Sequence, residues 1–457
     1  MAAIEFEDLK ARVSSGEIDT VLACLVDMQG RLLGKRFHAQ HFIDSGYKET
    51  HCCNYLLATD IEMNTVEGFK ASSWSQGYGD YVMKPDLSTL RPLPWLEGTA
   101  LVLCDVIDHN THTDVDHSPR ALLKKQVERA RRLGFDPMMA TELEFFLFKG
   151  RYEEIRQEGY RSLTPVSDYI EDYHILQTTK EEVVMRPLRN HLYAAGIPVE
   201  CSKGEAAAGQ EELNIRYAPA LDCADFHAIA KHATKEIAWH AGYAASFLAK
   251  WRADEVGSAS HIHQSLWRDG ANAFWDADAD YGMSQTMQHY LAGLIQYAPQ
   301  FFYFLAPYIN SYKRFVRNSF APTTLTWSLD NRTAGFRICD ANGANVRIEC
   351  RLGGSDLNPH LALAAQLAAG LAGIEEKLEL PAAIDGNHYA DKRPALDKEC
   401  APNTLTEAIV NLREGRAARQ AFGDAVIDHY VNAAMWEQEK YDSAVTDFEL
   451  RLGFEQA

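Results

Sequence analysis

The segment MATELEFFLF, residues 139–148, has the composition of a buried strand but carries two glutamates. Side chains alternate in direction along a strand, so Glu142 and Glu144 share one face while leucine and phenylalanine occupy the other. Two buried carboxylates repel each other and lose their hydration, so a cation neutralises them or their face opens into a cleft. Taken alone, an edge strand with a solvated face explains the segment equally well.

Bulk composition narrows the classes of protein to which the chain can belong. Its 457 residues, 46% of them hydrophobic and 24% charged, are typical of a folded globular protein with room for one large domain and a smaller one. The formal charge of −19 argues against nucleic acid as a partner, because phosphate binding requires clustered Lys and Arg in excess. Metal ions and cationic ligands are favoured instead.

Neither secretion nor membrane insertion is expected from the sequence. The start, MAAIEFEDLK, lacks a basic region followed by an apolar core. The Ala/Leu tract of residues 361–374 is too short to span a bilayer and predicts a packed core helix. Nine cysteines, with Cys52-Cys53 as the only close pair, favour reduced thiols in the cytoplasm over a disulfide framework.

The order of strand and helix patterns predicts an α+β protein with a boundary near residue 112. Residues 18–37 are typical of a hairpin that turns at Gln29-Gly30, and apolar runs at 54–61 and 99–106 complete a small sheet-rich unit. Ser118-Pro119 begins a helix that ends at Gly134. Further helical periodicity occurs near residues 180–195, 224–250, 283–305 and 360–377, and from 404 onward.

Two further segments carry acidic and imidazole groups on strand faces. In GEAAAGQEELNIRY, Glu205 and Glu212 bracket a loop of small residues, although an ordinary acidic turn would look the same. In GSASHIHQSL, His261 and His263 are two apart and therefore share a strand face, although such a pair is often structural. Neither segment decides the chemistry alone.

Arginines accumulate around the last glutamate. In NVRIECRL, alternation places Arg347, Glu349 and Arg351 on one face, and a surface salt-bridge network is the alternative reading. Carboxylates with one imidazole suit Mg²⁺ or Mn²⁺, and arginines beside such ions suit a polyphosphate. These segments together predict a phosphoryl-transfer site, without a Walker A sequence or a kinase glycine-rich loop.

In this order the segments resemble the glutamine synthetase family across nearly the whole chain. The hairpin DMQGRLLGKRF resembles the start of the family's N-terminal β-grasp domain. The other matching motifs are ELEFFLF, GEAAAGQEE, GSASHIHQSL, YKRFVRNSFAP, NRTAGFRI, RIECRLGGSDLNPHLA and VTDFEL. The resemblance implies a β-grasp domain over residues 1–112. It also implies a catalytic domain over 113–457, with a curved, mainly antiparallel sheet flanked by helices.

The resemblance also implies a role for each matching residue. One ion would be held by Glu144, Glu205 and Glu212, and a second by Glu142, His261 and Glu349. The substrate glutamate would be bound by Gly257, Arg314 and Arg351. The phosphates would be contacted by Arg332, Arg337 and Arg347, and the rest of the nucleotide by Tyr217, His263 and Ser265.

The implied reaction uses ATP, at least two Mg²⁺ or Mn²⁺ ions per site, and glutamate. ATP phosphorylates the γ-carboxylate of glutamate, because a carboxylate becomes an acyl donor only when its oxygen can leave as phosphate. An amine then attacks the acyl phosphate. The family forms homo-oligomers of stacked rings, typically dodecamers, with active sites between subunits.

One position departs from the ammonium-using members of the family. They carry a glutamate immediately before Ala-Pro in the loop that matches RNSFAP, whereas this sequence has Phe320. An aromatic ring cannot remove a proton but can pack against an organic group, which favours a primary amine and a γ-glutamylamide product. Asp60, in ATDIEM, resembles the aspartate that a neighbouring subunit contributes to the amine site.

Two alternatives stay open at this point: a glutamine synthetase that uses ammonia with another base, and a non-catalytic scaffold. Every metal-ligand position carries a competent residue, which speaks against the scaffold. Val256 and Ala259 replace the family's usual asparagine and glycine near the glutamate site. Tyr389 is the candidate for the family's regulatory adenylylation tyrosine, without a secure motif match.

Overall fold

The computed structural model describes residues 4–389 and 400–457. Its backbone forms two sheets, one of six strands near the N-terminus and one of ten strands in the remainder. The strands are β1 Thr20–Val26, β2 Leu32–His38, β3 Thr50–Cys53, β4 Asp80–Pro85, β5 Arg91–Pro92, β6 Thr99–Asp108, β7 Asp136–Lys149, β8 Val199–Gly204, β9 Gln210–Ile215, β10 Ala218–Pro219, β11 Tyr243–Ser246, β12 Ile262–Arg268, β13 Ala271–Asn272, β14 Trp327–Leu329, β15 Phe336–Cys339 and β16 Arg347–Cys350.

Helices flank both sheets and form most of the C-terminal part of the chain. They are α1 Phe6–Ser14, α2 Ala39–His41, α3 Pro119–Arg132, α4 Tyr152–Gln157, α5 Ile175–Thr179, α6 Glu182–Ala194, α7 Ala220–His240, α8 Gln285–Phe301, α9 Pro359–Glu376, α10 Leu405–Glu414, α11 Arg416–Phe422, α12 Asp424–Asp442 and α13 Asp447–Gly453. Across the described ranges, none of these helices has the length and apolar character needed to cross a membrane.

The N-terminal sheet has the order β2-β1-β6-β4-β3, with β5 beside β6. The predicted hairpin is confirmed as the antiparallel pair of β1 and β2, and β1 also runs parallel to β6. The prediction that the apolar run of 54–61 belongs to the sheet is wrong, because Asn54–Leu57 is a 3₁₀ helix. Residues 57–60 are buried in succession, so this segment packs as a compact turn and not with one alternating face.

The large sheet has the order β14-β15-β16-β12-β7-β9-β8. Only the pairing of β14 with β15 is parallel, so the prediction of a mainly antiparallel sheet flanked by helices is confirmed. Strand β7 lies between β12 and β9, which brings the segments with glutamate and histidine side by side. The domain boundary at residue 112 stays a prediction; β6 ends at Asp108 and α3 begins at Pro119.

Alternation along β7 separates two environments, as the sequence predicted. Leu143, Phe145 and Leu147 are buried in the main core between the sheet and its helices. Phe146 instead packs in a separate cluster with Phe148. The glutamates of β7 are therefore excluded from the apolar face, and their own face is free for polar groups.

Several predicted helix bounds shift in the structure. The predicted helix of 224–250 begins earlier and ends at His240, because the chain turns at Gly242 with a φ of +87° and continues as β11. The single predicted helix after residue 404 is four helices, with breaks at Gly415 and Gly423. The core helix predicted for 361–374 is confirmed within α9.

A buried ion cluster joins three of the helices behind the large sheet. Asp225 of α7 accepts hydrogen bonds from Arg120 Nη2 of α3 at 3.0 Å and from His360 Nε2 of α9 at 2.8 Å. Burial alone would raise the pKa of Asp225, but the charge of Arg120 outweighs it and lowers that pKa. The cluster fixes the helical layer that supports β7.

Candidate active site

Three carboxylates from two adjacent strands and a loop meet on the polar face of the large sheet. Glu144 of β7 lies directly opposite Glu212 of β9 in the antiparallel register. Glu205, in the loop between β8 and β9, completes a set whose oxygens lie within 4.8 Å of one another. The backbone N–H of Ala259 donates to Glu144 Oε2 at 2.7 Å and fixes its orientation.

Burial and mutual repulsion make a bound cation favourable for this first group. Burial, followed by repulsion from Glu205 and Glu212, raises the pKa of Glu144 well above its ordinary value. Burial, with the charges of Glu142 and Glu205, raises the pKa of Glu212 to about 8. Lys203 forms an ion pair with Glu205 but offers one charge to three carboxyls. An all-oxygen set of this size fits Mg²⁺ or Mn²⁺.

A second group lies beside the first and contains the imidazole. His261 Nδ1 is 2.8 Å from Glu142 Oε2 and 3.4 Å from Glu349 Oε1. Glu142 also accepts a hydrogen bond from His263 Nε2 at 2.8 Å. The three groups Glu142, His261 and Glu349 each offer a ligand atom within 4.8 Å of the others. One imidazole with two carboxylates suits Mn²⁺ as well as Mg²⁺.

Both carboxylates of the second group are kept ionised. Burial alone would raise the pKa of Glu142, but hydrogen bonds from His261 and His263 lower it well below its ordinary value. Burial likewise opposes ionisation of Glu349, and the charge of Arg351, with the two histidines, lowers its pKa to about 2. These carboxylates are therefore charged at neutral pH and able to coordinate an ion.

Of the arginines predicted for the phosphate, Arg337 contacts Glu349 directly. Arg337 Nη1 donates to Glu349 Oε2 at 2.8 Å, and Arg351 Nη1 also forms an ion pair with Glu349. Arg347 Nε donates to His263 Nδ1 at 3.3 Å. Arg332 is exposed, and its carbonyl accepts a hydrogen bond from Arg351 Nε at 3.2 Å. The sheet thus presents several guanidinium groups next to the second carboxylate group.

Two of the predicted glutamate-binding residues, Gly257 and Arg314, lie at the edge of the first group, whereas Arg351 pairs with Glu349 of the second. A Cβ at Gly257 would be 2.5 Å from Arg314 Cγ, so no larger residue fits there. Arg314 Nη2 donates to the carbonyls of Leu352 at 2.7 Å and Gly353 at 2.9 Å. In this structure Arg314 therefore supports the turn that follows β16, and its role toward glutamate stays a prediction.

The predicted nucleotide residues extend along β12 away from the carboxylates. His263, Ser265 and Trp267 alternate and therefore share one face, over about 13 Å from first to last. Trp267 Nε1 donates to Ser265 Oγ at 3.0 Å, and its ring lies 6.1 Å from the ring of Tyr217 at an angle of 24°. Since His263 bonds Glu142, it joins the carboxylates to this aromatic end.

Phe320 lies in a loop next to Arg351. Its carbonyl accepts a hydrogen bond from Arg351 Nη2 at 3.4 Å, and its side chain is 57% exposed. Its φ of +59° is in the left-handed region, which bulky residues rarely adopt, and nearby Asn318 has the same value. Phe320 therefore combines an exposed ring with a strained backbone in the loop next to Arg351. Tyr389 is only 8% exposed, so its hydroxyl is a poor target for adenylylation.

Asp60 is the predicted site residue that the structure does not bring to these groups. Its Oδ2 accepts hydrogen bonds from Trp436 Nε1 and Lys440 Nζ, both at 3.3 Å. Burial would raise the pKa of Asp60, but its hydrogen bonds from Asn64 lower it. Within residues 4–389 and 400–457, neither carboxylate group shares a hydrogen bond or ion pair with Asp60.

Sequence reasoning missed three polar residues of the site. Lys203 of β8 lies opposite Glu212 in the register, and the spacing of KGE was the available signal. Gln210 Nε2 donates to Glu144 Oε2 at 3.3 Å and to the carbonyl of Gly257 at 3.1 Å. Asp330 Oδ1 accepts from Arg337 Nε at 3.0 Å, and nothing in the local sequence indicated this pair.

Comparison with known proteins identifies the family. Residues 116–452 match the family model described as glutamine synthetase, catalytic domain. The chain belongs to the glutamine synthetase family. The predicted resemblance is therefore confirmed, over most of the chain and including the strands that carry both carboxylate groups.

Individual relatives are similar over their full lengths. Gamma-glutamylethanolamide synthetase GlnA4 of Streptomyces coelicolor is 45% identical over 98% of this chain and 95% of its own. Glutamate–isopropylamine ligase of a Pseudomonas species is 36% identical over 97% and 96%. A solved structure described as a GmaS/ADP complex superposes with a TM-score of 0.85 at 27% identity, covering 98% of this chain and 99% of that one. These similarities support the glutamate–amine ligase branch of the family.

Proposed function

We propose that this protein is an ATP-dependent ligase that joins the γ-carboxylate of glutamate to an organic primary amine. The reaction passes through γ-glutamyl phosphate and yields a γ-glutamylamide, ADP and phosphate. The observation that carries the proposal is the outward aromatic ring of Phe320, next to a site complete in carboxylates and arginines. Two relatives whose names describe ligation of glutamate to organic amines support it.

Each of the two carboxylate groups would bind one metal ion. Glu144, Glu205 and Glu212 would hold one ion, and Glu142, His261 and Glu349 the other. Bound Mg²⁺ or Mn²⁺ would neutralise the oxygens of the transferring phosphoryl group. Of the two, the all-carboxylate group suits Mg²⁺ and the group with His261 also suits Mn²⁺, so we expect activity with either ion.

The arginines stabilise the negative charge of the phosphoryl group, and the aromatic residues at the far end of β12 bind the nucleotide base. Arg337 and Arg351 are fixed by Glu349 and so face the same point as the carboxylates, where charge develops on the phosphoryl oxygens. Tyr217, which is exposed, stacks on the half-buried ring of Trp267, and Trp267 lies about 13 Å along β12 from His263. This separation accommodates a nucleotide with its phosphates at the carboxylates and its base at Tyr217.

Attack of an amine on the acyl phosphate releases a proton, and Phe320 cannot accept it. The ring instead offers apolar surface to the substituent of the amine, which is lost if the substrate is ammonia. We assign proton removal to Asp60 of a neighbouring subunit, since Asp60 does not contact the carboxylates of its own chain.

A homo-oligomer of stacked rings is part of the proposal. The last helix, α13, leaves apolar side chains uncovered, with Phe448 62% exposed and Phe454 just beyond it 88% exposed. Exposed apolar side chains at this density indicate contact with another copy of the chain.

Because the reaction consumes ATP, we also assign the enzyme to the cytoplasm.

Product identification tests the proposal. Enzyme with glutamate, ATP, Mg²⁺ and ethanolamine should give a compound with the summed mass of glutamate and ethanolamine less one water, together with equal amounts of ADP and phosphate. Glutamine from ammonia as the only product, with ethanolamine and isopropylamine both unused, would overturn the choice of amine. Absence of any metal-dependent ATP turnover would instead favour a non-catalytic relative.

A further inference from the structure

A third cluster of acidic residues lies outside the site just described. Glu171, Glu181 and Glu211 each place an oxygen within 4.8 Å of the others. Their exposed fractions are 0%, 2% and 1%, so water does not solvate them. Three carboxyls are among the groups that proteins bury least readily without a compensating charge.

The oxygens of this cluster are poorly satisfied. Glu171 Oε1 accepts a hydrogen bond from the backbone N–H of Gly209. Within the described ranges, Glu171 Oε2, Glu211 Oε1 and both oxygens of Glu181 are buried without a hydrogen bond from any group outside the cluster. A buried acceptor without an outside donor is costly, and four of them at one point make the binding of a cation favourable.

The nearby cationic side chains are committed elsewhere. Arg189 donates to both oxygens of Glu182 at 2.7 and 2.8 Å. Lys180 Nζ donates to Gln177 Oε1 at 2.5 Å. None of the ion pairs found among the described residues involves Glu171, Glu181 or Glu211. The protein itself therefore supplies no direct counter-charge.

We propose that Glu171, Glu181 and Glu211 bind a third divalent cation, a hard ion such as Mg²⁺ or Ca²⁺, at a structural site behind the sheet. Three carboxylates offer up to six oxygens, which matches the coordination of such ions. The ion would satisfy the unpartnered oxygens and replace mutual repulsion with attraction. It takes no part in phosphoryl transfer, because Glu211 points to the opposite face of β9 from Glu212.

The location of this ion indicates which part of the structure it would stabilise. Glu211 and Glu212 are neighbours on β9, so their side chains point to opposite faces of the strand. Glu171 precedes α5, and Glu181 lies at the start of α6. A Cβ at Gly204 would be 2.5 Å from the carbonyl oxygen of Glu171, so this segment packs tightly against the loop that carries Glu205. The ion would fix that loop, and with it a predicted ligand of the first group.

The competing description is a cluster of neutral carboxyls that share protons. Burial, together with hydrogen bonding to Glu171 and the charge of Glu211, raises the pKa of Glu181 to about 11 when no ion is present. A proton-sharing cluster and an ion-binding cluster respond differently to added metal. Only the second gains ions and stability when the metal concentration increases.

The test compares the full-length Glu181→Gln variant with wild type and with the control Glu158→Gln, which changes an exposed residue. Each protein is stripped with a chelator, equilibrated with Ca²⁺ or Mg²⁺, and analysed for bound metal by mass spectrometry. We expect Glu181→Gln to bind about one ion per chain fewer than the other two proteins. We also expect it to lose part of the increase in melting temperature that metal gives wild type. Equal metal content in all three proteins would overturn the proposal.

A second measurement uses wild type alone and so does not depend on a variant that folds. Crystals grown with Mn²⁺ should show an anomalous difference peak within bonding distance of all three carboxyls. A map with peaks at the catalytic carboxylates but none at this cluster would contradict the proposal. That result would leave the proposed ligase activity untouched, because the cluster lies outside the catalytic groups.

Discussion

Glu144 and Glu212 lie directly opposite each other across β7 and β9, both buried and both carboxylates. Like charges directly opposite in an antiparallel pair are destabilising. The strands nevertheless pair in this register from Glu142 to Phe146. The pair is therefore stable only when protons or a bound cation reduce the repulsion, and the contribution of a cation can be measured.

Removing one member of the pair should change how metal stabilises the fold. We expect Mn²⁺ to raise the melting temperature of wild type, since an ion at 100 times its Kd contributes about 2.7 kcal/mol. In Glu212→Gln the increase should be much smaller, because one ligand and one charge are lost. Differential scanning calorimetry with chelator and with Mn²⁺ measures both.

The matched control for this experiment is Glu200→Gln, an exposed glutamate on β8 of the same sheet. It should respond to Mn²⁺ as wild type does. If Glu212→Gln gains as much stability from Mn²⁺ as Glu200→Gln, then Glu212 is not a ligand.

Replacing Phe320 by Glu should improve the use of ammonia. The new carboxylate can accept the proton that the attacking amine loses, and general-base catalysis of this type is large enough that kcat/KM for ammonia should increase by roughly ten- to a hundredfold. The kcat/KM for ethanolamine should fall, because the aromatic surface is gone. Steady-state phosphate release with each amine gives both values.

The variant Phe320→Gln distinguishes the effect of adding a general base from the effect of changing the size and polarity of the side chain. Both replacements keep a side chain at a φ of +59°, so the backbone strain is unchanged between them. The glutamine cannot accept a proton and should leave ammonia use low. An equal increase in kcat/KM for ammonia in both variants would show that the size of the side chain, and not the lack of a general base, limits the reaction with ammonia.

Loss of the buried carboxylate at Asp225 should destabilise the helical layer. Asp225→Asn removes the most deeply buried of the three carboxylates that pair with Arg120, the other two being Asp86 and Asp105, and the loss of such a charged hydrogen bond costs about 2 kcal/mol. The folded pKa of Asp225 is lowered, so its contribution is fully present above an unfolded pKa of about 3.9 and is lost as the pH falls below it. Urea unfolding at pH 7 and in acid measures the difference.

The exposed Asp278→Asn variant is the control for acid unfolding. Its stability should follow that of wild type at both values of pH. The gap between wild type and Asp225→Asn should narrow in acid; a gap that stays constant or widens there would contradict the assigned linkage.

If Asp60 acts on a neighbouring subunit, two inactive variants should complement each other. Asp60→Asn and Glu349→Gln alter different contributors to the composite site, so mixed oligomers contain some sites with both residues intact. Random mixing of equal amounts should restore about a quarter of wild-type activity. Mixed oligomers of Glu144→Gln and Glu349→Gln should recover none, and absence of recovery in the first mixture would place Asp60 outside the amine site.

Much of the site could be predicted because strand periodicity is local information. Alternation alone placed Glu142 and Glu144 on one face of β7 and the apolar residues on the other, as the structure has them. The motif order then supplied the family. Alternation does not determine the order of strands within the sheet. The proximity of Glu205 to Glu144 could therefore be predicted only from the resemblance to the family.

The residues that were missed depend on long-range contacts. Asp330 meets Arg337 through the parallel pairing of β14 and β15, which no local pattern encodes. The 54–61 run was expected to extend the sheet because of its composition, yet it buries successive residues and turns. Left-handed backbone at Phe320 was equally invisible, since the sequence there has no glycine.

The proposed preference for an organic amine is tested most directly by the kcat/KM of the purified enzyme for a panel of amines at fixed glutamate, ATP and Mg²⁺. We expect at least one organic primary amine, such as ethanolamine or isopropylamine, to be used far better than ammonia. A kcat/KM that is highest for ammonia and negligible for every alkyl, aryl and polyamine substrate would contradict it.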